Sequence, residues 1–212
     1  MDSVTQAALG AVIGELTLGK KIGNKGAILG GLIATIPDLD IILYPFLSPL
    51  QSISVHRGYS HSVVFSFIAT VLIVILLKRI KWTAGLDHLK LAWFVWLCLI
   101  THMLLDAFTS YGTQLFLPFS DHRVSLDSIN IVDPIYTGFL LLGIIASTIV
   151  YKNKPQRSRY SRYALIFSCM YLTYTLMVKN VAKRQFEDAM IEQDISHLKF
   201  LSIPVGIGGV NW

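Results

Sequence analysis

LAWFVWLCLITHMLLDAF, residues 91–108, decides the fold. It carries no charge before Asp106 and is long enough to cross most of a bilayer as a helix. Near its end stand His102 and Asp106. Four residues apart on a helix, they face the same side. Ionisable groups inside a membrane helix are costly, so they are usually paired, functional, or both. The His-x-x-x-Asp spacing also lets one helical turn offer a nitrogen and an oxygen to one metal ion. The rest of the chain is read for other ligands that converge on this turn.

Working outward, the 212 residues are 53% hydrophobic and only 15% charged, where soluble domains carry nearer a quarter. Several long apolar runs make the fold class all-α, a polytopic membrane bundle of about five to six helices. Cys98 and Cys169 both fall in predicted membrane helices, too few and too buried for a disulfide framework. No nucleic-acid motif is present. The N-terminus is not read as a cleavable leader, because Asp2 is acidic and no lysine precedes Lys20.

Ser3 to Gln6 has the form of a capping box, with Asp2 adding negative charge at a helix start. The first helix, Val4 to Leu18, is short for a full span and contains Glu15, so re-entry is the alternative to crossing. Gly10-x-x-x-Gly14 and Gly26-x-x-x-Gly30 would let two helices approach closely, although glycine is common in membrane helices for other reasons. The second helix, Gly26 to Tyr44, is interrupted by Pro37, which introduces Asp38-Leu-Asp40. Two acids inside an apolar stretch favour ligands over a helix restart capped by one of them.

Pro45 to Val55 is a connection. His56-Arg-Gly-Tyr-Ser-His61-Ser62 then opens the third helix, Ser62 to Leu77. Two histidines at a helix entrance suit metal or phosphate chemistry, and Arg57 suits an anion. His88 sits in a basic loop and reads as solvated. The fourth helix is Leu91 to Phe108. The long loop Thr109 to Asp133 is aromatic and mixed in charge, so it is expected to be ordered; it carries Arg123. Asp133-Pro134 reads as a cap and first-turn proline for helix five, Pro134 to Tyr151. A sixth helix runs from Tyr163 to Val178, and Val181 to Gln193 reads as a charged amphipathic helix outside the bilayer. The division expected is residues 1–178 as the membrane domain with the metal site and 179–212 as an extracytoplasmic helix and tail.

If every intervening pair of helices crosses, three basic loops collect twelve of the eighteen Lys and Arg on one face. They are Lys20 to Lys25, Lys78 to Lys90 and Lys152 to Arg162. That face is expected to be cytoplasmic. The same assignment sends His56, His61, His102 and Asp106 to the extracytoplasmic end. Asp38 and Asp40, about twelve residues up the second helix, join them in the outer half. Six ligands, Asp38, Asp40, His56, His61, His102 and Asp106, exceed the needs of one zinc and could hold two ions. Manganese and magnesium remain open, because the set is rich in carboxylates. The chemistry expected is hydrolysis of a phosphoester by metal-activated water. Arg57 and Arg123 would steady developing negative charge.

With these residues in view, the chain resembles the YdjM-type family of bacterial inner-membrane proteins, described as predicted metal-dependent hydrolases. The matching pieces are Met1-Asp-x-Val-Thr, Pro37-Asp-Leu-Asp40, His56-Arg-Gly-x-Ser-His-Ser62, His102-x-x-x-Asp106 with Thr-Ser-Tyr-Gly112, and Asp133-Pro134. That family looks distantly similar to the zinc-dependent phospholipase C and nuclease superfamily. The resemblance implies a phosphoester substrate, a location in the inner membrane, and His102 and Asp106 as metal ligands, followed by Asp38 or Asp40 and His56 or His61; the catalytic set expected for this chain is Asp106, His61, Arg57 and Arg123. A membrane-embedded site facing outward suggests, by its location alone, a membrane lipid or lipid-linked substrate. Family members often have His where this chain has Gln6, which removes one ligand. The superfamily's processed N-terminal amine has no counterpart signalled by Met1-Asp2.

Two other classes fit the same residues. A transporter would use the acids and histidines for a cation or proton relay, but no inverted repeat is evident. A structural bundle stabilised by metal would show a closed coordination shell.

Overall fold

The computed structural model describes residues 1–48 and 57–193, together with Pro204. His56 and most of the Pro45–Val55 connection lie outside the described residues, as does the expected extended tail. Among the described residues there are six α-helices and no strand. They are α1 (Ser3–Ile22), α2 (Asn24–Ala34), α3 (Val63–Leu77), α4 (His88–Ala107), α5 (Pro134–Ile145) and α6 (Arg157–Glu192). Two of these, α4 and α6, are long and apolar enough to cross a membrane. α2 and the 3₁₀ stretch Pro37–Phe46, bent by 41°, pass the same test only when taken together, as a broken span or a re-entrant loop. α3 and α5 are shorter apolar helices.

α1 and α2 form the hairpin at the centre. Gly23 alone joins them, with φ +62°, a conformation only glycine adopts without strain. The two helices touch backbone to backbone. A Cβ on Gly10 would land on the Gly30 carbonyl, and one on Gly14 would land on that of Gly26. The two Gly-x-x-x-Gly pairs are therefore one interdigitated seam, the close-approach reading of the sequence. α1 begins with Asp2 as its cap, whose carboxylate accepts from Thr5 N at 3.0 Å. Gln6 does not complete the capping box; it turns inward.

Around the hairpin pack α4, α5 and α6. Phe94, Leu91, Leu99 and Met103 of α4 are fully buried against Val12 and Leu18 of α1. Removing such side chains costs about 2–5 kcal/mol each, so this seam fixes where His102 and Asp106 point. Outward, α3 and α6 show Leu72, Leu76, Phe167 and Met170. Exposed large apolar groups of that density suit lipid.

The end with the basic loops is tied together. Arg157 makes a forked pair with Glu15, its Nε at 2.7 Å from Oε1, and reaches Asn24 Oδ1 at 3.0 Å. The Lys25 ammonium lies 4.4 Å from the centre of the Trp82 ring. The three basic segments thus share one end of the bundle. Glu15 is explained as a paired structural acid, and α1 runs from the ligand end to the basic end.

Three expectations need correction. α4 starts at His88, which the Asp87 cap draws into the helix through Lys90 N at 3.0 Å. α5 gives way to a π-helical turn, Ala146–Val150, where Ser147 bonds Ser161 at 2.7 Å. α6 is continuous from Arg157 to Glu192, so no break separates residues 163–178 from 181–193. Lys179, inside that helix, donates to the Leu126 carbonyl at 2.7 Å and pairs with Asp127 at 3.2 Å. The long loop is ordered as expected and covers the ligand end. It gives Leu126 N to Ala107 O at 2.7 Å and takes Val63 N on Leu115 O at 2.9 Å. Asp133 caps α5 through Ile135 N and Tyr136 N and also accepts from Tyr171 at 2.8 Å.

Candidate metal centre

Four elements bring ligands to one point. α4 supplies His102 and Asp106 from one face of its last turns. Ser62 caps α3, with Phe65 N at 3.1 Å, and the 3₁₀ turn Tyr59–His61 just before it delivers His61. α2 ends at Ala34, and the 3₁₀ stretch that starts at Pro37 delivers Asp38. α1 starts beside them with Met1 and Gln6.

The distances are those of a single coordination sphere. His61 Nε2 lies 3.1 Å from His102 Nε2 and 3.3 Å from Asp106 Oδ2. Asp38 Oδ1 lies 3.4 Å from His102 Nε2 and 3.6 Å from His61 Nε2. His102 Nε2 to Asp106 Oδ2 is 3.6 Å. Metal bonds of about 2.0–2.1 Å place tetrahedral ligands roughly 3.3–3.4 Å apart. One ligand atom from each of the four residues lies within 4.8 Å of all the others.

The protons agree. His102 Nδ1 lies 2.6 Å from the Ala34 carbonyl, an acceptor, so Nδ1 carries the hydrogen and Nε2 a lone pair. His61 Nδ1 lies 2.9 Å from Ser60 Oγ, which in turn donates to Asp40 Oδ2 at 3.2 Å. That chain gives His61 the same tautomer. Two lone pairs then face one another at 3.1 Å, beside Asp106 Oδ2, which is buried and accepts no hydrogen bond. A converging set of acceptors, with the Arg57 guanidinium 3.3 Å from Asp106 Oδ2 at its edge, suits a cation between the two imidazoles: a metal or a proton. Burial disfavours charge on His61, yet the carboxylates of Asp106 and Asp38 outweigh it and hold its imidazole above the ordinary histidine range.

Asp40 is not in the sphere. Its Oδ2 accepts from Arg57 N and Ser60 Oγ, each at 3.2 Å, and stands 3.7 Å from His61 Nδ1. It stands behind His61, outside the four-residue group that the structure brings together. The described residues offer one four-ligand cluster, where the sequence allowed two ions. Arg57, at φ +57°, is buried; Nη1 donates to Thr109 at 2.7 Å and Nε lies 3.3 Å from Asp106 Oδ2. Its guanidinium and that of Arg123 both lie over the Tyr111 ring, at 5.1 and 5.6 Å. Arg57 and Arg123 thus share the Tyr111 ring, and of the two Arg57 pairs with the ligand Asp106.

Two neighbours from the start of α1, where the sequence already placed Gln6 near the ligands, complete the site. Gln6 Nε2 donates to Asp106 Oδ1 at 3.0 Å and to His102 O at 3.2 Å. Its signal was only position: one turn into a helix that starts at the ligand end. The Met1 amino group also bonds Asp106 Oδ1. Together they occupy one oxygen of Asp106 and leave Oδ2 for the cluster.

A family model described as the YdjM inner membrane protein matches residues 1–182. The chain belongs to the YdjM inner membrane protein family. Every described ligand lies within the matched region. The Escherichia coli K12 inner membrane protein YbcI is 35% identical over 123 residues, which is 57% of this chain and 69% of YbcI. The Bacillus subtilis strain 168 protein YfhP is 28% identical over 207 residues, 93% of this chain and 60% of YfhP. The chain therefore spans about three fifths of the length of YfhP. No solved structure matches. Membership in the YdjM family places the protein in the inner membrane, and the apolar helices fit that location.

Proposed function

We propose that this YdjM-family protein is a membrane-embedded, metal-dependent hydrolase of a phosphoester in a lipid or lipid-linked substrate, acting on the extracytoplasmic side. The observation that carries the reading is the 3.1 Å approach of two imidazole nitrogens beside two carboxylate oxygens in a buried pocket. His61, His102, Asp38 and Asp106 would hold the ion, and nitrogen with carboxylate donors suits zinc, with manganese next. A divalent cation bound there supplies a Lewis acid and acidified water. Arg57 fixes Asp106 from the side of the long loop. Arg57, with Arg123 on the same Tyr111 ring, would supply the positive charge that a phosphoester needs near the ligands. The basic end points the cluster away from the cytoplasm.

The test is metal content by plasma mass spectrometry on purified protein, followed by a phosphoester and lipid turnover screen. Wild type should carry close to one ion per chain and turn over a substrate; Asp106→Asn should lose both. Metal-free wild type of full stability would sink the reading.

A second reading follows from one feature. All four corners of the tetrahedron are protein atoms, the signature of a structural ion. In that case the metal would stabilise the bundle without exposing a position to water. Cobalt substitution separates the two: a spectrum that shifts with added phosphate supports the enzyme, and an unresponsive one supports the structural ion.

A further inference from the structure

The geometry points to the groove between α1, α2 and α5 as the seat of one acyl chain of a membrane glycerophospholipid, whose phosphate-bearing head reaches the metal cluster. This rests on the hydrolase reading for what happens to the head, and on separate observations for where the tail lies.

The groove has a volume of about 670 Å³. Its floor is made of small side chains, Ala7 and Ala11 of α1 and Ala27 and Gly31 of α2; Leu141 and Ile144 of α5 form a wall. Val4, Ile28 and Leu32 on its rim are more than half exposed, so it opens sideways onto the region that faces hydrocarbon. A lipid tail could enter without crossing water.

Continuity with the cluster decides the occupant. Ser3 lines the upper end of the groove and its hydroxyl donates to Asp38 Oδ2 at 3.2 Å. Asp38 is also the least buried member of the four. Its side chain is 19% accessible, whereas those of His61, His102 and Asp106 are at 0%. Among the described residues, Ser3 thus joins the upper end of the groove to the most accessible of the ligands. The lower end is closed by Asn24 and Thr148, which bond each other at 2.9 Å. Between these ends α2 rises about 16 Å, close to half of a ~30 Å hydrocarbon core. An acyl chain fills that length from a head at the leaflet surface. A polyprenyl chain is far longer and would run out past the polar end.

The test uses the full chain, purified and washed free of lipid in detergent, with palmitoyl-oleoyl phosphatidylglycerol as the probe. Native mass spectrometry counts lipid bound, and metal content is measured on the same samples. Wild type should retain one lipid. Ala11→Phe and Ala7→Phe, each filling the floor, should weaken retention by about tenfold, the effect of uncovering about two buried methylenes, with metal unchanged. Ala92→Phe, in the separate apolar pocket beside Phe67, Trp93 and Trp96, should bind as wild type does. Equal retention by both floor variants overturns the groove, as does equal loss in Ala92→Phe. Displacement of the probe by an equal concentration of polyprenyl phosphate overturns the acyl assignment. Groove-specific binding in a protein that never holds metal leaves the tail site standing and sinks the hydrolase; bound metal with groove-independent lipid does the reverse.

Discussion

His61 Nε2 and His102 Nε2 stand 3.1 Å apart in a fully buried pocket, and the other nitrogen of each ring already faces an acceptor. Such a pair needs a shared cation. His61→Ala and His102→Ala should each lower metal affinity by more than about 100-fold, beyond what loss of an orienting partner costs. Titration with a competing chelator measures this. Retention of metal by either variant would mean that the imidazoles serve another purpose.

Asp38 and Asp40 are chemically identical and two residues apart, yet their roles differ. Asp38→Asn should remove a ligand and most of the bound metal. Asp40→Asn should only loosen the Ser60–His61 chain and weaken affinity by about 10–100-fold. The comparison is made by the same chelator competition. Equal losses would return Asp40 to the ligand set.

In metal-free protein a proton shared by the two imidazoles, 3.1 Å apart, would compete with the metal. His61 is held above its ordinary range, so in metal-free protein its protonated form is the stabilising one. That stability is complete below the unfolded value of about 6.5 and is lost as pH rises through the higher folded value. Metal-loaded protein should behave oppositely, because binding releases that proton and strengthens with pH. Thermal unfolding across pH 5–8, with and without chelator, should give slopes of opposite sign; parallel slopes would refute the competition.

Gly30 faces the Gly10 carbonyl with no space for a methyl group. Gly30→Ala should force α1 from α2 and destabilise by about 1–3 kcal/mol or more. Because α1 carries Gln6 and α2 leads to Asp38, metal affinity should fall with stability. Gly138→Ala, where a Cβ meets nothing within 4 Å, should leave metal affinity unchanged. Thermal shift and metal content on the two variants decide it.

Glu15 is 1% exposed and paired with Arg157. Glu15→Ala leaves a guanidinium facing a buried pocket and should cost about 3–5 kcal/mol. Its distance from the ligands predicts no direct change in metal affinity once the protein is folded. A specific loss of metal in folded Glu15→Ala would show that the two ends are coupled.

The membrane class, the six helices and the shared end of His61, His102 and Asp106 were legible in the chain itself. Apolar runs and basic loops are local signals, and a bilayer turns them directly into spans and sides. The break in the second helix was legible at Pro37 for the same reason. Which carboxylate faces the ion was not. In a 3₁₀ stretch neighbours two apart point in different directions, and only the packing of Ala34 on His102 turns Asp38 inward and Asp40 toward Arg57. The inward turn of Gln6 and the groove at Ser3 likewise exist only once α1, α2, α4 and α5 are in contact. Hydrophobic pattern puts ligands at one end of a bundle; side-chain packing across distant segments sets them at bonding distance.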